Sequence, residues 1–201
     1  MSDFKGFNRM ATATCLAALL FGSGVAAAAE KGWSLEAGVE EPSYAVADAY
    51  SDTLNVDAVA LVCEEAGSQR GLQLQLYPTV EGMFLPRGAS EESAKPEARA
   101  EMEIDGKVFP MSIAFSEQYL VVADAEHERH PVLSEAATSA LASGSKLTLR
   151  FDLLAEKPGQ VPAFDGEATV DLKGKATGVV AQLRRCVDGG NPLQVSSLPS
   201  R

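Results

Sequence analysis

Residues 71–77, Gly-Leu-Gln-Leu-Gln-Leu-Tyr, alternate apolar and polar positions without a break. The alternation puts Leu72, Leu74 and Leu76 on one face and Gln73 and Gln75 on the other, the mark of a half-buried strand that Pro78 then stops. Residues 146–154 repeat the pattern, with Leu147, Leu149, Phe151 and Leu153 set against Lys146, Thr148, Arg150 and Asp152. Ala100, Met102 and Ile104 mark a third such strand over 98–104. Asp105-Gly106 follows as a hairpin signal, since both central positions of a type I′ turn take positive φ. Residues 107–115 read as the return strand, with Pro110 suited to an edge position or a bulge. Shorter strands are expected at 33–37, 44–50, 54–63, 119–123 and 168–172, with a turn over 64–71 and a polar loop over 79–98.

Two stretches change period. Residues 131–142 place Leu133, Ala137, Ala140 and Leu141 at helical spacing, with Ser134 as a helix cap and Gly144 as the stop. Further on, Ala176, Val179, Val180, Leu183 and Val187 fall on one buried helical stripe. About nine short strands with one or two helices in the last third predict an α+β fold. It is mainly antiparallel β, sandwich-like or a curved sheet.

The start of the chain decides the expected compartment. Lys5 and Arg9 precede an apolar run over 11–21 and then small residues up to Ala29, the layout of a secretory signal peptide. The run is shorter than the roughly 20 apolar residues of a membrane span. Cleavage is expected after Ala28 or Ala29, giving a signal peptide at 1–28, a β-rich domain at 29–190 and a loose tail at 191–201. The product would be periplasmic or secreted, with no membrane insertion after cleavage. The whole chain has 17 Lys and Arg against 28 Asp and Glu; without Lys5, Arg9 and Asp3 it has 15 against 27, a formal charge of −12. Such a field repels nucleic acid and anionic lipid and favours cationic partners.

Cys15 leaves with the leader, so Cys63 and Cys186 remain. An even pair in an exported chain reads as a disulfide. It would pin the last helix to the N-terminal half of the sheet. Closing a loop of over about 100 residues is worth about 4–5 kcal/mol in the chain-entropy view.

Candidate chemistry is sparse. His127 and His130, flanked by Glu126 and Glu128, are the only histidines and the residues a metal would use. Zinc takes three or four ligands in defined geometry, and the stretch reads instead as a solvated connecting loop. No metal or cofactor is expected. Nucleophile-elbow, phosphate-loop and dinucleotide motifs are absent from the sequence, so no catalytic residue is singled out. Glu91, Glu92 and Glu97, in a run continuing to Glu101 and Glu103 and broken by Lys95 and Arg99, form an acidic loop that could dock a basic partner. Trp33 is expected as a core or capping aromatic.

A pattern larger than single motifs is also present. The small-residue helix running into a strand over 137–151, then Ala168-Thr-Val-Asp-Leu-Lys-Gly174 and an Ala-Val-Leu helix, resembles the end of proteins in the invasion-associated locus B family. Trp33, Leu61-Val62-Cys63 and Leu72-Gln-Leu-Gln-Leu76 are similar to periplasmic accessory proteins of the type VI secretion-associated VasI kind. The resemblance covers about half the chain. It implies an exported β-rich domain with a disulfide, and it carries over no functional residue. This chain has one cysteine pair where the first family commonly has more. The expected function is a periplasmic, non-catalytic binding or protein-interaction domain for an envelope or secreted partner. The alternatives are a hydrolase acting on envelope material, or an inhibitor or effector of a cationic protein.

Overall fold

The computed structural model describes residues 32–189, apart from 39, 41, 80–83, 117, 157, 158, 160, 174 and 175. The expected signal peptide and the expected C-terminal tail lie outside the described residues. In chain order the strands are β1 (Ser34–Leu35), β2 (Tyr44–Asp48), β3 (Val56–Ala66), β4 (Gln69–Pro78), β5 (Ala94–Ile104), β6 (Lys107–Phe115) and β7 (Leu120–Ala123). A short hairpin, β8 (Ala125–His127) and β9 (His130–Val132), leads into helix α1 (Glu135–Ser143). Strands β10 (Lys146–Leu154) and β11 (Gly166–Asp171) precede helix α2 (Ala176–Val187).

All strands except the β8–β9 pair join one antiparallel sheet in the order β1-β2-β3-β4-β7-β6-β5-β10-β11. The sheet curls into a half-barrel. Its last strand returns toward its first, and Tyr50, just beyond β2, exchanges two 2.8 Å backbone bonds with Thr169 of β11. The alternation predicted for β4, β5 and β10 sets the buried face. Leu61, Leu74, Leu76, Met102, Leu147, Leu149 and Phe151 are all sealed from solvent in one core. The α2 stripe of Val179, Val180 and Leu183 packs into that core, beside Ala137 and Leu141 of α1. Trp33 is a core residue as well.

The pair Cys63–Cys186 forms a disulfide that ties β3 to the end of α2, with Cα atoms 6.3 Å apart. Ser134 caps α1 by accepting the Ala137 N–H at 3.1 Å. Asp105 and Gly106 make the expected turn, with φ of 48° and 87°. Asp105 does more than turn the chain, because its carboxylate accepts the Ser145 and Lys146 N–H groups and the Ser145 hydroxyl at the start of β10.

Pro110 lies in a strand with neighbours on both sides, yet it breaks no ladder. Counting from the hairpin turn, Pro110 opposite Glu101 is a non-hydrogen-bonded position, so its nitrogen faces away from β5. Strand β7 joins β6 only from Ser112 onward, which makes Pro110 a local edge.

Three expectations change. Strands β3 and β4 run on to a two-residue turn, Gly67-Ser68, where a longer turn over 64–71 was read. Gln73 and Gln75, read as the wet face of β4, are buried. Strand β9 lies against β4, and Gln73 donates to the Pro131 carbonyl at 2.8 Å, Gln75 donates to Gln73, and the Tyr77 hydroxyl donates to Gln75. The stretch read as a solvated loop at 124–130 is part of that covering hairpin, and Pro131 belongs to β9 rather than to α1.

Replacing both Cys63 and Cys186 by Ser should cost about 4 kcal/mol, the entropy of an open chain between residues 123 apart. Urea unfolding should show this as a midpoint lowered by roughly 2 M. An unchanged midpoint would mean that α2 holds its place without the covalent tie.

Candidate functional site

The register between β5 and β10 is regular from Leu147↔Ile104 to Asp152↔Arg99, and the next pair is Leu154↔Ala94. Four residues of β5, 95–98, therefore stand opposite the single Leu153 of β10. Surplus residues in one strand bow it out of the ladder. Pro96 suits that position because it has no N–H to lose. Pairing resumes beyond the bulge, where the Ala155 N–H reaches the Ser93 carbonyl at 2.8 Å. On β10, the Leu153 and Leu154 N–H groups are taken up by the Asp165 carboxylate.

Under this bulge lies a cavity of about 360 Å³. Leu153 forms its buried floor, and Ala94, Pro96 and Ala98 line it from β5. Phe115 contributes from the end of β6 with more than half of its surface open to solvent. Phe84 and Leu85 complete the wall. Phe84 is held edge-on to Phe151 with ring centroids 5.3 Å apart. Its segment is strapped to residues 51–54, where Arg87 donates to the Leu54 and Ser51 carbonyls and Leu54 bridges to Pro86. Concave, mostly apolar sites with a few convergent polar groups are where small molecules bind.

Lys95 is the one charged residue among the described residues lining the cavity. Its ammonium pairs with buried Asp152 and, at 2.9 Å, with Glu156. Arg99 pairs with the other Asp152 oxygen. Burial works against the Lys95 charge, but the bonds to Asp152 and Glu156 outweigh it and hold its pKa above the ordinary lysine value. Burial likewise pushes Asp152 up, and the Lys95 and Arg99 donors overcome it, so its pKa lies below the ordinary carboxylate value. Glu156 is lowered chiefly by its bond from Lys95.

The residues singled out from sequence lie elsewhere. Glu91 and Glu92 sit on an exposed single 3₁₀ turn (Glu91–Ser93), and Glu97 is an exposed residue of β5. The polar loop expected over 79–98 therefore gives way to strand four residues before its end. His127 and His130 face each other as a cross-strand pair in the β8–β9 hairpin. Among the described residues no three His, Cys, Asp or Glu side chains converge as metal ligands would. Glu128, at the hairpin tip, accepts the Ser68 hydroxyl at 2.8 Å and its N–H at 3.0 Å, and these bonds lower its pKa. No helix among the described residues is long and apolar enough to cross a membrane. Lys95, Asp152 and the cavity were missed. The available signal was Pro96, which interrupts a strand pattern two residues before alternation settles at Ala98.

The depressed Asp152 carboxyl stabilises the fold above the ordinary carboxylate pKa of about 4. That contribution is lost as pH falls through its lower folded-state value. Asp152→Asn should lower the melting temperature at neutral pH, and the gap to the wild type should narrow as pH falls below the ordinary carboxylate value and through the lower folded-state one. A gap that does not depend on pH would show that the carboxylate charge is not what matters. Compared with known proteins, the chain matches no family model, no curated protein and no solved structure.

Proposed function

We propose that this protein is an exported, non-catalytic binding domain, and that the cavity under the β5 bulge holds its ligand. One observation carries the reading: seven apolar side chains and one cation converge on about 360 Å³ of space at a place where the sheet departs from regular pairing. A bulge that served only to end a strand would close over its neighbours. This one is lined by Pro96 on one side and by Phe84 of the strapped segment on the other.

Export is supported by the leader pattern at 1–28 and by the Cys63–Cys186 disulfide, a bond that persists in oxidising compartments. A periplasmic or secreted location follows from that reading. The resemblance to exported β-rich families agrees with it. Among the described residues lining the cavity none is a nucleophile with an adjacent base, which is why binding is preferred to catalysis.

The uncharged fluorophore N-phenyl-1-naphthylamine, bright only in apolar surroundings, should bind saturably with one site per chain. Ala98→Trp, which fills the cavity from β5, should abolish the rise in emission while the protein still melts cooperatively. Absence of any rise with the wild type, or a rise that Ala98→Trp leaves intact, would overturn the assignment.

A further inference from the structure

We infer that the ligand is a small amphipathic carboxylate, its apolar chain lying over Leu153 and its acid group meeting Lys95 at the rim. The inference rests on the cavity being the binding site and adds the chemistry of its occupant. Seven of the eight described lining residues offer no hydrogen-bonding side chain, so the body of the ligand is apolar. Among the described lining residues Lys95 is the one that carries a charge, and that charge is positive.

An ammonium has three N–H donors. Lys95 spends one on Asp152 and one on Glu156; the third has no acceptor among the described residues. The two carboxylates differ in what they can yield. Asp152 is sealed in place by Lys95 and Arg99 together, whereas the Glu156 side chain is about one-third exposed and held by Lys95 alone among the described ion pairs. An incoming carboxylate can therefore take the free donor, or displace Glu156 into water, without disturbing the Asp152 pair. A cationic head group finds no free acceptor here: it would have to take Glu156 from Lys95 and then sit beside that like charge, which costs binding energy. A neutral ligand would leave the third donor unmet. Charge complementarity selects the acid.

The test is displacement of N-phenyl-1-naphthylamine at pH 7 by decanoate and by decyltrimethylammonium, which share a ten-carbon chain and differ in sign. Decanoate should compete at least ten-fold more strongly, the weight of one charge-assisted hydrogen bond. Lys95→Met should erase that preference, and Lys95→Arg should restore it. Because Lys95→Met leaves Asp152 with Arg99 alone, the double variant Lys95→Met/Asp152→Asn carries the same reading without an undercompensated buried charge. Equal competition by the two detergents, or a preference that survives loss of Lys95, overturns the inference while the cavity remains a binding site. Failure of the fluorophore itself to bind removes both.

Discussion

A sheet that buries one whole face must curl around something, and this constraint organises the molecule. Nine antiparallel strands present Leu, Val, Met and Phe on one side. Left flat, that side would meet water along its full width. Curling brings β11 back to Tyr50, and the remaining interior is filled by two short helices rather than by a second sheet. Helix α2 offers only a narrow stripe for the purpose, with Arg184 and Arg185 on its wetter positions. A stripe that narrow gives a modest packing energy. The covalent link to β3 adds to the packing of that stripe against α1, β3 and β4.

The same backbone logic produces the larger of the two register shifts found among the described strands. Four β5 residues facing one β10 residue cannot all be paired, so the strand bows and space opens over Leu153. The bow also turns Lys95 back toward Asp152, a carboxylate within a strand whose inner face is entirely apolar. Burying that carboxylate is tolerable because two cations reach it. Cavity and charge cluster are two results of one register change.

Much of the fold was legible because it rests on period-two and period-3.6 patterns. Strands β6 and β10 have the limits that alternation predicts, and Asp105-Gly106 turns where its positive φ values require. What could not be read lies where local pattern is overridden by contacts distant in sequence. Gln73 and Gln75 look like surface residues and are buried, because a hairpin some 50 residues later covers them and supplies a carbonyl partner. That hairpin turns at Glu128 and Arg129 with positive φ and no glycine, so it carries no turn signal. Its geometry is set by Ser68 gripping Glu128, and Gly67 leaves the room: a β-carbon there would overlap the Glu128 side chain. The early start of β5 was hidden by its own bulge. Pro96 breaks the alternation that would have announced it.

The staple between Cys63 and Cys186 also fixes an order of events. Chains emerge from the N-terminus, so β3 and β4 are complete long before the helix that covers them exists. With 123 residues from Cys63 to Cys186 and synthesis at about 5–20 residues per second, the second cysteine is made roughly 6–25 s after the first. Throughout that interval Cys63 has no later cysteine to pair with. Holding that half-built shell apart from its neighbours is a demand placed on the cell rather than on the finished molecule.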